Sequence, residues 1–292
     1  MQSKIYWILC IDLSQMMKKK ITDRITTLSF LFFAAALLLF FGVMIKTSPY
    51  RLLRPYIPWI AARQLDSTTY RFSDDRSHLE IKIPAAGTVV QEDFWIDQIP
   101  VTIKAYHQCV ADGNCNPAHY RNYFLKYYNS PIYQWLPVTF VSWKEALIFC
   151  EAQGGRLPTE MQWNLAAGYA QKDLYPWGNS EPSIDKANYD GYYQGLTPAG
   201  WLPNGASRFG VLDLGGNVRE WTLDFLIRET YIDIRIPEKI YQDAILSDVA
   251  DRILKGGSSS DFPQTMEVRN HLWHGQNSPG FNRGFRCVYP IN

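Results

Sequence analysis

The stretch Gly155-Arg-Leu-Pro-Thr-Glu-Met-Gln-Trp163 decides how the chain is read. Gly154 and Gly155 stop one helix, and Pro158 stands just before the start of another. Thr159 and Gln162 have the spacing of a capping box, in which the threonine covers an orphan amide and the glutamine reaches back to the cap. The same signal opens the preceding helix at Ser142-Trp-Lys-Glu145. Within that helix Trp143, Leu147 and Cys150 fall at i, i+4 and i+7, so Cys150 points into the core. The second helix ends before Gly168.

Working outward, Leu79-Glu-Ile-Lys-Ile83 and Asp93-Phe-Trp-Ile-Asp97 alternate as strands do. A helix is expected from about Thr102 to Ala111. After Gly168 the chain reads as turns and short strands, without an internal repeat. Helices embedded in a long irregular β body give an α+β fold class. With 10 Trp, 18 Tyr and 15 Phe, large rings fill space that regular helices would otherwise occupy. A formal charge of +1 supplies no concentrated basic field, which argues against a nucleic-acid partner.

Ile25 to Ile45 is a run of 21 residues without a charge. As a helix it is long enough to cross a bilayer, and no helix of a soluble core is expected to be apolar on every face. A cleaved signal peptide is the competing case, but the run is long for one and no small-x-small site follows. The expected organisation is a cytoplasmic segment over 1–24, a transmembrane helix over 25–45, a juxtamembrane linker over 46–77 and an extracytoplasmic domain over 78–292. Met16 and Met17 are alternative starts to Met1. Lys18, Lys19, Lys20 and Arg24 before the span against Lys46, Arg51 and Arg54 after it lean only weakly toward an inside N-terminus.

Cysteines give the stronger argument for orientation. Cys10 precedes the span, whereas Cys109, Cys115, Cys150 and Cys287 follow it, the even number that an oxidising exterior favours. Gly113 and Asn114 can reverse the chain and bring Cys109 to Cys115. Cys150 and Cys287 then form the remaining pair. Free thiols or a metal site are the rival reading, although zinc is disfavoured by the lack of a C-x-x-C.

Several motifs resemble the formylglycine-generating enzyme, or sulfatase-modifying factor, family. They are Gly155 to Trp163; Ala166-Ala-Gly168 with Tyr175-Pro-Trp-Gly-Asn179; Ala187-Asn-Tyr189; Gly210-Val-Leu-Asp-Leu-Gly-Gly-Asn-Val-Arg-Glu-Trp-Thr222; Leu254-Lys-Gly-Gly-Ser258; and Gly284-Phe-Arg-Cys-Val288. They occur in the family's order over about residues 90 to 290. The resemblance implies an irregular C-type-lectin-like fold, and its family disulfide agrees with a Cys150–Cys287 pair. Arg156 and Arg286 are expected to make buried bidentate contacts, and Trp163, Trp177 and Trp221 to fill core.

Asp213 and Glu220 bracket a turn able to aim carbonyls at one point, and hard oxygen donors suit calcium. The resemblance places a calcium site on the side chains of Asp213 and Glu220 and the carbonyls of Gly216 and Val218. The alternative is a hydrogen-bonded turn with no ion. A second family calcium site would begin at Asn188 and Tyr189, but its other ligands find no match here.

The family's enzyme oxidises a cysteine of nascent sulfatases to formylglycine with copper held by two thiolates. Those thiolate positions fall on Asp261 and Met266, and no cysteine lies between Cys150 and Cys287. No copper is expected, since soft sulfur ligands are what monovalent copper requires. Asp261, Met266, Arg269, His271 and His274 make up the degenerate former active-site region. His271 and His274 are spaced as metal ligands are on a helix, but their surroundings read as loop, where hydrogen-bonded or solvated histidines are expected. The leading expectation is a non-catalytic, membrane-tethered binding or accessory module for a peptide, glycan or cell-envelope protein. An enzyme of altered, metal-assisted chemistry through His271, His274 and Asp261 is the alternative, and a structural component of an envelope complex is the third.

Overall fold

Leu79–Ile83 alternates between faces, and its isoleucines bury completely, which makes it the centre of the first sheet. In the computed structural model this segment is β2, joined on one side by β1 (Tyr70–Phe72) and on the other by β3 (Phe94–Asp97). Ile81 stands opposite Ile96, and the last strand of the chain, β9 (Val288–Pro290), pairs with β3 through Trp95 and Tyr289. The described residues are 69–72, 78–86, 90–120, 124–125, 128–227, 230–231 and 251–291. They all lie within one unit, Arg54–Asn292.

Three helices follow their caps. Thr102 accepts from the amide of Ala105 to open α1 (Ile103–Ala111). Ser142 and Glu145 close a reciprocal capping box on α2 (Trp143–Ala152), as do Thr159 and Gln162 on α3 (Glu160–Ala166). Cys150 is fully buried and bonded to Cys287, and Cys109 is bonded to Cys115 across the Gly113–Asn114 turn, as expected.

The second sheet has the order β5–β4–β6–β7. Its spine is β4 (Arg219–Ile227), paired with β5 (Thr230–Tyr231) and β6 (Asp251–Lys255), and β6 pairs in turn with β7 (Leu272–Gly275). A short strand, β8 (Arg283–Gly284), runs parallel to the start of β4. One buried cluster joins α1 and α2 to Trp221, Leu254 and Phe285, and a second joins α3 to the first sheet.

Several expectations change. The linker over 46–77 contains β1, because Tyr70, Arg71 and Phe72 pair with Ile81, Glu80 and Leu79; the folded body therefore starts before His78. Arg156 is exposed, and it is its backbone that pairs with Val288. Trp177 is half-buried and stacks on Tyr175, whereas Trp163 and Trp221 are fully buried. The expected cytoplasmic segment and the Ile25–Ile45 span lie outside the described residues; among those, no helix is long and apolar enough to cross a membrane.

Candidate functional site

The turn between Asp213 and Glu220 is shaped by left-handed backbone. Asp213, Gly216 and Asn217 have φ of 57°, 79° and 64°. A Cβ on Gly216 would stand 2.3 Å from the Asn188 carbonyl oxygen, so the close approach of that segment demands glycine. The Asn217 amide donates to the same oxygen at 2.8 Å, and the Asn217 side chain bridges the amide and carbonyl of Thr197, each at 3.0 Å.

Glu220, wholly buried, faces Arg286. Nε and Nη2 of Arg286 donate to its two oxygens, each at 2.7 Å, and the Trp163 indole adds a third bond at 2.8 Å. The remaining guanidinium hydrogens reach the carbonyls of Asp97, Gln98 and Leu212 at 2.9, 3.2 and 2.8 Å. Asp213 turns one oxygen to the Gly200 amide at 2.8 Å. Burial pushes its pKa up to about 6, against the opposing pull of that amide and of Arg286.

A calcium ion at the implied set would have to share Glu220 with Arg286. The Glu220 carboxylate is the counter-ion of a buried guanidinium, and a divalent cation on its other side would compete with a charge that has no water to solvate it. The bonds of Asp213, Asn217 and Glu220 are also those of the alternative, a hydrogen-bonded turn. At the second implied site, Asn188 donates to the Gly195 carbonyl at 2.8 Å, and its buried Oδ1 has no hydrogen-bond partner. That is a single amide oxygen, and among the described residues no group of three or more His, Cys, Asp or Glu side chains is placed to hold a metal.

The former active-site residues are engaged with separate partners. Asp261 accepts from Nε of Arg219 at 2.7 Å and from its Nη2, and Ser258 donates to it at 2.8 Å. Met266 is fully buried in a small cluster with Tyr175 and Ala187. Arg269 is exposed, its guanidinium 5.7 Å from the Tyr169 ring centre. Within the expected loop, Leu272–Gly275 forms the edge strand β7, running antiparallel to β6, and His271 stands just before it. His274 lies on that strand and His271 just before it, a separation of three that in extended chain turns side chains to opposite faces. His271 reaches Glu160 at 3.1 Å, while burial and then Arg283 hold the His274 pKa down. His271 and Asp261 are thus each held by another group, Glu160 and Arg219.

Two features lie beyond sequence reasoning. Lys255 is fully buried; its ammonium meets Glu160 at 3.3 Å and the carbonyls of Val268 and Asn270 at 2.9 and 2.6 Å. Burial lowers its pKa to about 8 despite the glutamate. Arg219 and Arg283 stand side by side because β8 pairs in parallel with β4. No local signal announces either arrangement, since the partners are 95 and 42 residues apart for Lys255–Glu160 and Arg219–Asp261.

Residues 64–291 match the sulfatase-modifying factor enzyme 1-like domain. Inactive C-alpha-formylglycine-generating enzyme 2 of Mus musculus is 34% identical over 166 residues, covering 52% of this chain and 49% of that protein. Formylglycine-generating enzyme of Mus musculus is 31% identical over 171 residues, covering 52% of this chain and 44% of its own. The chain thus spans about half the length of the curated relatives it matches. Among solved structures, Treponema denticola variable protein 1 aligns with a TM-score of 0.57 at 18% identity, over 76% of this chain and 98% of that one; this likeness concerns the fold alone. The order of motifs, the Cys150–Cys287 bond and a match over most of its length agree: the chain belongs to the sulfatase-modifying factor enzyme 1-like domain family.

Proposed function

We propose that this domain is a non-catalytic binding module, tethered on the outer side of a membrane by the Ile25–Ile45 segment. The observation that carries the reading is the state of sulfur. Cys109, Cys115, Cys150 and Cys287 are all closed in two disulfides, which leaves the described residues no thiolate for copper. The positions of the family's thiolates hold a carboxylate tied to Arg219 and a methionine sealed in core. Likeness to a protein named as an inactive member of the family points the same way. Such a module would hold a peptide, a glycan or a cell-envelope protein, and the aromatic residues on its surface suit that role.

The test uses the full chain in detergent micelles, supplied with copper, oxygen, a thiol reductant and a cysteine peptide of the sulfatase type. The expected result is a peptide of unchanged mass, beside a formylglycine-generating enzyme that converts it. Formation of the aldehyde would overturn the reading. The tether is tested by alkaline extraction of membranes from expressing cells, where release into the soluble fraction counts against it.

A further inference from the structure

Arg219 and Arg283 are paired residues on parallel β4 and β8, and the Arg219 amide donates to the Asn282 carbonyl at 2.9 Å. The two cations therefore leave neighbouring strands at one level. Only one of them is answered. Asp261 takes Arg219 through two nitrogens. Arg283 donates through Nη1 to the Ser278 carbonyl and, at 3.3 Å, to the Ser278 hydroxyl, and its Nε has no partner. Among the described residues no carboxylate pairs with it. Burial, and then the Arg219 charge, lower its pKa. A half-buried guanidinium beside another cation, with no counter-charge of its own, gains from an incoming anion.

The surroundings specify the anion. Arg219, Asp261 and Arg283 together leave one unanswered positive charge, which matches a singly charged carboxylate better than a doubly charged phosphate. Two exposed rings flank these residues in sequence: Phe281, two residues before Arg283, is 53% exposed, and Phe262, next to Asp261, is 70% exposed. Exposed rings beside a cation are the makings of a site that takes a charge and an apolar group together. We infer that Arg283, beside Arg219 and with the exposed Phe281 and Phe262 as sequence neighbours of this cluster, binds a carboxylate carried next to an apolar group, as at the end of a peptide. This deepens the binding-module reading and rests on it.

The experiment measures saturation-transfer NMR on three probes against the full chain in micelles: N-acetylphenylalanine, N-acetylphenylalaninamide and acetate. The acid is expected to bind at least about tenfold more tightly than the amide or acetate, a difference of roughly 1.4 kcal/mol. Arg283→Gln should reduce the acid to the level of the amide, while Arg283→Lys retains part of the preference. Asp261→Asn removes the internal partner of Arg219 and should tighten acid binding by about threefold, roughly 0.6 kcal/mol. If Arg283→Gln does not fold, the acid-to-amide ratio and the Asp261→Asn gain decide. Equal binding of acid and amide, equal binding of acid and acetate, no binding, or an acid affinity that a folded Arg283→Gln leaves unchanged would each overturn the site. None of these results touches the formylglycine assay, so the two readings fail separately.

Discussion

At Arg286 a full positive charge lies in the interior, and every hydrogen it can donate must meet oxygen from the protein. Glu220 supplies two of those acceptors and the only carboxylate the guanidinium contacts among the described residues. Glu220→Gln leaves that charge uncompensated and should cost about 3 to 5 kcal/mol in urea unfolding, far more than loss of a surface pair. The same geometry predicts that a calcium chelator leaves the melting temperature unchanged, because a ligand bound only to the native state would raise it. A chelator-sensitive melting point would restore a cation at this turn. Asp213 behaves oppositely to a salt-bridged acid. Its folded pKa, about 6, lies above the ordinary value of 3.8, so the native state holds the proton more tightly than the unfolded chain does. Its favourable contribution is complete below the unfolded value and is lost as pH rises through about 6. Asp213→Asn, which keeps an acceptor for Gly200 and tolerates positive φ, should therefore stabilise by about 1 to 3 kcal/mol at pH 7 and by nothing near pH 3. Denaturation curves at both pH values check the difference.

At the scale of elements, local signals were sufficient for the helices and central strands. Thr159 and Gln162 close their box in both directions, and Thr159→Ala should cost about 1 kcal/mol, read by chemical denaturation, with Thr159→Ser close to wild type. Leu79–Ile83 was legible because alternation is written into five residues. The elements that stayed hidden are those whose partners alone define them. Tyr70–Phe72 is a strand of three residues that takes its form from β2, and Leu272–Gly275 has polar neighbours and owes its form to β6. The candidate site divides in the same way. The absence of thiolates was readable from the position of the cysteines along the chain, and their pairing from the turn at Gly113–Asn114, which leaves Cys150 and Cys287 to each other. That Glu220 belongs to Arg286 was not, since the two are 66 residues apart and a turn flanked by two carboxylates reads equally as a cation cage. His271 and His274 show how much depends on the element: their spacing favours a metal on a helix, whereas His274 lies on β7 with His271 just before it.

For the whole molecule, the bond between Cys150 and Cys287 spans 137 residues and ties α2 to the approach of the closing strand β9. Asp97 accepts from the Cys287 amide at 2.8 Å, so the same point also holds the edge of the first sheet. Cross-linking ends so far apart removes much more freedom from the unfolded chain than the Cys109–Cys115 bond, which spans 6 residues. In the chain-entropy model the long bond is worth about 5 kcal/mol and the short one about 2 kcal/mol. Replacing Cys150 and Cys287 together by alanine should thus lower stability by roughly twice as much as replacing Cys109 and Cys115, measured by urea unfolding of the purified chain. Mild reductant should reproduce the ranking, with the short bond opening first, because Cys150 and Cys287 are fully buried while Cys115 is 9% exposed. An equal or reversed ranking would mean that the unfolded chain is already held compact around its aromatic residues, and that the staples act chiefly on the native state.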